Sequence, residues 1–79
     1  MTETEAMVAA RCCALLHLVY VEPDDDLLNV GADSLKLIEL AIDLEEVFAT
    51  AVPTDVVARA PRVREIAAWI DANRSTGGE

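Results

Sequence analysis

The sequence predicts an all-α domain, a small four-helix bundle of three main helices and one short one, and three observations carry that reading. Apolar residues recur at three- and four-residue spacing in separate stretches near 3–19, 34–48 and 61–72, the period of helices that each bury one face. Pro23, Pro53 and Pro61 fall between those stretches, where a ring without an N–H stops a helix. No alternating run reads as a strand, and the one long connection lies between the first two helices.

The first helix is expected from Glu3 to Val19. Thr2 and Glu5 have the spacing of a capping box, in which each side chain accepts a free amide of the first turn. Val8, Cys12, Leu15, Leu16 and Val19 form its core stripe. Cys12 reads as a small core hydrophobe and Cys13, off the stripe, as partly exposed. Neither has the second ligand pair that a metal site needs. His17, the single histidine, has no partner at recognisable spacing and reads as a partly exposed helix residue.

Tyr20 to Ala32 is expected to be irregular. Asp24-Asp25-Asp26 competes with helix for backbone hydrogen bonds and lacks the alternating ligands and bidentate Glu of a calcium loop, so it reads as a solvated turn. Leu27 and Leu28 are expected to plug into the core and pin that loop down. Ser34 to Phe48 is the best-defined helix, with Asp33 as its N-cap. Leu37, Leu40, Ala41, Leu44, Val47 and Phe48 follow core spacing. Leu35, Ile38 and Ile42 make a second ridge at i, i+3 and i+7, about a third of a turn away. A helix in a small bundle needs only one apolar stripe. Part of the second ridge is expected to pack under the loop. The rest forms a docking surface bordered by acids such as Glu39, with Lys36 the one basic residue of the helix.

Thr54 can cap a short helix over Asp55 to Arg59, with Val56 and Val57 inward. The last helix is expected from Pro61 to Ala72, with Val63, Ile66, Ala67 and Ile70 in the core and Trp69 covering one end. Residues 1–72 then form one domain, and 73–79, without an apolar anchor, a disordered tail.

Seventy-nine residues allow one domain and no sheet scaffold for an enzyme pocket. Six Lys+Arg against fifteen Asp+Glu give a net charge of −9, which argues against nucleic acid and anionic membrane and favours basic protein surfaces. The acidic N-terminus is not a signal peptide, and no apolar run reaches membrane-spanning length, so a reduced, cytoplasmic monomer is expected. The centre of the chain is Gly31-Ala32-Asp33-Ser34-Leu35. Its serine hydroxyl sits where a loop becomes a helix, near the positive end of the macrodipole, a mount suited to a phosphate-linked group.

That five-residue stretch resembles the phosphopantetheine-attachment motif of the carrier proteins, and the resemblance covers about Leu15 to Ile70. Glu22 to Val30 is similar to the acidic stretch and aromatic pair that precede the motif in peptidyl carrier domains, with leucines in place of phenylalanines. Val52-Pro53, Ala60-Pro61-Arg62-Val63 and Ile66-Ala67 also match the order in those domains. The resemblance implies a right-handed, acyl-carrier-protein-like four-helix bundle that is not itself an enzyme, with 4′-phosphopantetheine attached to Ser34 and an aminoacyl or acyl group held on the arm's thiol. It implies that Asp33 and Leu35 border the attachment site and that Leu35, Lys36, Ile38, Glu39 and Ile42 are read by partners. Those partners are a phosphopantetheinyl transferase, an adenylating or acyl-transferring loading enzyme, and downstream condensing or tailoring enzymes. Gly-Ala-Asp-Ser looks like an acyl carrier of the fatty-acid or polyketide kind, whereas the short preceding loop looks peptidyl-carrier-like. Arg62 stands where Thr or Ser often caps the last helix. A free-standing aminoacyl carrier is the expectation, with a polyketide or other acyl carrier as the alternative.

Two other classes compete. Asp33-Ser34-Leu35 is a fragment of a serine-esterase motif whose order Ala32 breaks, and no base or oxyanion hole accompanies it. A plain acidic interaction module explains the charge and the second ridge, but not the serine at the loop–helix junction.

Overall fold

The computed structural model describes residues 1–74 and contains four α-helices, with no strand among the described residues: α1 (Glu3–Leu16), α2 (Ser34–Phe48), α3 (Thr54–Arg59) and α4 (Val63–Arg74). A single 3₁₀ turn, Leu27–Val30, interrupts the long connection between α1 and α2. The Thr4 hydroxyl donates to Asp71 Oδ1 at 2.6 Å, which places the start of α1 beside the last turns of α4. The Arg74 guanidinium lies 5.3 Å from the centre of the Phe48 ring, so α2 and α4 end together. Ser34 therefore stands at the opposite end of α2, about 22 Å away for a helix of this length at ~1.5 Å per residue.

The core is aliphatic. Val8, Cys12, Leu40, Leu44, Ile66 and Ile70 are wholly buried where α1, α2 and α4 meet. Burial pushes the Cys12 thiol up to about 12, with Cys13 and Asp43 adding to the effect, so it stays protonated as one more apolar side chain. Cys13 is half-buried, as its place off the stripe predicts. Asp43 on α2 takes both the Nε and an Nη of Arg11 on α1, at 2.7 and 3.0 Å.

Helix starts follow local chemistry. The Thr2–Glu5 capping box forms in both directions. Helix ends do so less faithfully. α1 stops at Leu16, three residues before the expected end, because His17 turns left-handed (φ 59°) and the Leu18 amide bonds back to Cys13 at 2.9 Å. Val19 is consequently fully exposed rather than in the core, and Val21 is buried in its place. Val47, expected inside, is 38% exposed. α3 begins at Thr54 itself, with Pro53 as N-cap and no side-chain cap bond. α4 begins at Val63, not Pro61, and runs through Arg74, so Asn73 and Arg74 belong to the helix and not to a tail; the expected tail beyond them lies outside the described residues.

The acidic turn is more organised than a solvated loop. Asp24 makes a two-pronged ion pair with Arg64 (2.7 and 3.1 Å), Asp25 accepts the Glu22 amide, and Asp26 caps the 3₁₀ turn through the Leu28 amide. Of the two leucines expected to plug into the core, only Leu27 does so; Leu28 is half exposed. Successive side chains in a 3₁₀ turn point about 120° apart, so one of an adjacent pair faces the core and the other leaves it.

Ala49 closes α2 in the left-handed region (φ 54°), where a side chain costs about 1–2 kcal/mol. Ala49→Gly removes that cost and returns roughly 0.4–1 kcal/mol to the unfolded chain. A net stabilisation of roughly 0.5–1 kcal/mol in urea unfolding is expected.

Candidate functional site

The site is built from the last turn of the long connection, the start of α2 and the side of α3. Gly31 adopts φ 122°, a conformation that side chains rarely take, and its amide returns to Leu27. The Ala32 amide bonds the same carbonyl at 3.0 Å, and Ala32 is buried. The chain then straightens through Asp33, whose Oδ1 accepts the Lys36 amide at 2.9 Å. Asp33 is thus the N-cap that its position predicts, and its carboxylate is engaged by the helix.

Ser34 is the first residue of α2 and is exposed. The first turn of α2 contains no acidic residue, so the positive end of the helix is offset only by the cap. A phosphodiester at Ser34 Oγ is favoured there by roughly 0.3–1 kcal/mol. Beside Ser34 an apolar cleft of about 310 Å³ runs between α2 and α3, lined by Ser34, Leu37, Ile38, Thr54, Asp55 and Ala58. An exposed hydroxyl at the rim of an open, apolar cleft fits a flexible arm attached through phosphate.

The second ridge of α2 stays open. Leu35, Ile38 and Ile42 are 61%, 42% and 55% exposed, so the loop does not cover them. Lys36 Nζ lies 3.6 Å from Glu39 Oε1, making these two residues one loose exposed pair beside the ridge. The other acids of α2 differ in what they hold. Asp43 is engaged by Arg11, Glu45 accepts the Val52 amide, and Glu46 is exposed. His17 is exposed at the end of α1, on a different element from Ser34.

The family model described as a phosphopantetheine attachment site matches residues 8–70. The chain belongs to this phosphopantetheine-binding family. The acyl carrier protein of Zymomonas mobilis is 36% identical over 61 residues, spanning 70% of this chain and 78% of that one. The fold is similar to a chain in the structure of the phosphopantetheine transferase Sfp in complex with coenzyme A and a peptidyl carrier protein, with a TM-score of 0.88 at 16% identity over 92% of this chain and 95% of that one. It is also similar to BlmI, a type-II acyl carrier protein from Streptomyces verticillus involved in bleomycin biosynthesis (TM-score 0.82, 22% identity, 87% and 83% covered). This phosphopantetheine-binding chain is accordingly a carrier protein with the acyl- and peptidyl-carrier fold, and it carries rather than catalyses.

Two parts of the site escape sequence reasoning. The α3 wall of the cleft, Thr54, Asp55 and Ala58, carries no motif, because the pattern of α3 shows only which residues point inward. Leu28 joins the exposed apolar residues on the segment leading into Ser34, and its neighbour Leu27 gives no signal for which of the pair is buried.

Loss of the cap tests the geometry at Ser34. Asp33→Ala is expected to destabilise the fold by about 1 kcal/mol in urea unfolding, whereas Asp33→Asn stays within a few tenths, because an amide oxygen caps as well as a carboxylate.

Proposed function

We propose that Ser34 is the attachment residue for 4′-phosphopantetheine and that this carrier protein is a free-standing, type II peptidyl carrier of non-ribosomal peptide or related natural-product biosynthesis. The observation that carries the reading is an exposed serine hydroxyl at the first position of α2, inside Gly-Ala-Asp-Ser-Leu and at the rim of an apolar cleft. When bound, the arm supplies a thiol that holds an aminoacyl or acyl group as a thioester.

The chain's own residues have simpler roles. Asp33 fixes the start of the helix and so the direction of Ser34 Oγ. The N-terminal end of α2, offset only by the Asp33 cap, favours the phosphate charge. Leu35, Ile38 and Ile42 offer an apolar ridge, and Lys36 and Glu39 beside it offer charges for register. These residues would meet the phosphopantetheinyl transferase, the loading enzyme and the condensing or tailoring enzymes in turn. An overall charge of −9 favours partners with basic faces and steers their approach. The proposed setting is the cytoplasm, and no described helix is long and apolar enough to cross a membrane.

The short acidic segment before the motif supports the peptidyl reading. A second reading, an acyl carrier of polyketide or fatty-acid synthesis, is favoured by the Gly-Ala-Asp-Ser centre and by the identity to an acyl carrier protein. Incubation with adenylating enzymes and with malonyl- or acyl-transferring enzymes separates the two by which cargo mass the arm gains.

Intact mass after incubation with coenzyme A and a broad-specificity transferase is expected to rise by one phosphopantetheine unit. Ser34→Ala should gain nothing while keeping its helical circular dichroism. A wild-type chain that is folded yet unmodified would overturn Ser34 as the attachment residue. Ile38→Asp should lower the rate of cargo loading by about ten-fold or more, as loss of a central apolar contact does, with the fold intact. An unchanged rate would remove the ridge as the docking surface.

A further inference from the structure

α3 has little of its own to hold it in place. It is six residues long, its N-cap is a proline without a side-chain bond, and Val57 is its one buried side chain. Open clefts flank it on both sides. One adjoins Ser34; the other, about 430 Å³ and lined by Val56, Arg59, Glu65 and Trp69 among others, separates α3 from α4. The Arg59–Asp55 ion pair is exposed and internal to the helix, so it anchors α3 to nothing else.

The firm connection comes from α2. Val52, one residue before the cap of α3, is buried, and its amide donates to Glu45 Oε2 at 2.9 Å. Glu45 is seven residues back, on the helix that begins with Ser34, and makes no ion pair among the described residues. Glu45 itself is exposed and Val52 is buried, so the bond is part-buried, and the carboxylate makes it charge-assisted and directional. It spans the connection between α2 and α3, one residue before the Pro53 cap of α3.

We propose that Glu45 is a positioning residue for the Ser34 site: through the Val52 amide it holds α3 as the far wall of the cleft, and so fixes the surface that the modifying and loading enzymes meet. This deepens the carrier reading and rests on it. Glu45 touches neither Ser34 nor the cleft, and acts only through the backbone of the α2–α3 connection.

Amide hydrogen exchange and transferase kinetics on Glu45→Ala and Glu45→Gln test the assignment. In Glu45→Ala, exchange at Val52 and in the second half of α3 is expected to speed up about ten-fold, with α1 and α4 within about two-fold of wild type. KM for phosphopantetheine transfer should rise about three-fold or more with kcat unchanged, because docking is weakened and chemistry is not. Glu45→Gln retains an acceptor oxygen and should restore both readouts to within about two-fold. Unchanged exchange at Val52, equal acceleration in every helix, faster α3 exchange with an unchanged KM, or a glutamine variant as impaired as alanine would each overturn the proposal. A wild-type chain that the transferase leaves unmodified would sink the Ser34 assignment instead, and the exchange comparison alone would then decide whether Glu45 holds α3.

Discussion

The Leu27 amide donates to the Pro61 carbonyl at 2.8 Å, and the Leu27 side chain is wholly buried beneath it. This tie joins the end of the long connection to the residues just before α4. The Arg64 amide bonds the Pro23 carbonyl at 2.9 Å, and the Arg64–Asp24 ion pair closes over the same seam. The ion pair is exposed and contributes little by itself. Burial of Leu27 contributes about 1.5–3 kcal/mol, and the backbone bonds fix its register. Without this seam the connection would have no defined end, and the Gly31 turn and the Asp33 cap would have nothing to start from.

From that anchor the site is assembled by short-range steps. Gly31 reverses the chain, Ala32 buries, Asp33 caps, and Ser34 emerges on the first turn of a helix whose other face is locked into the core by Leu37, Leu40 and Leu44. The attachment role proposed for Ser34 needs a serine that is both accessible and held still, since partners would have to find the hydroxyl without a pocket to guide them. Accessibility comes from the helix terminus, and rigidity from the buried stripe of the same helix. α3 is the exception: a short, weakly anchored wall beside a well-fixed serine.

The distribution of charge follows the same division. Arg11–Asp43 joins α1 to α2, Thr4–Asp71 joins α1 to α4, and Arg64–Asp24 joins the connection to α4. On α2, Glu39 and Glu46 stay at the surface, Asp43 is taken by Arg11, and Glu45 is exposed yet accepts the Val52 amide. An excess of acid that looks uniform in composition is sorted by the fold into struts and surface.

Much of this was legible in the sequence because it is local. Helical period places the core faces of α2 and α4, the Thr2–Glu5 and Asp33 caps depend on residues three apart, and Ser34 at a loop–helix junction follows from Gly-Ala-Asp before an amphipathic run. The second stripe of Leu35, Ile38 and Ile42 was readable too, but the loop expected to cover part of it leaves all three exposed. The tertiary structure alone decided the rest. The left-handed turn at His17 ends α1 without a glycine signal, so that Val21 rather than Val19 packs inward. Leu27 is chosen over Leu28 by the 3₁₀ turn, Arg11 finds Asp43 thirty-two residues away, and α3 meets α2 to form a cleft at Ser34. Periodicity states which side of an element is apolar, whereas the partner across the gap depends on how every element packs at once.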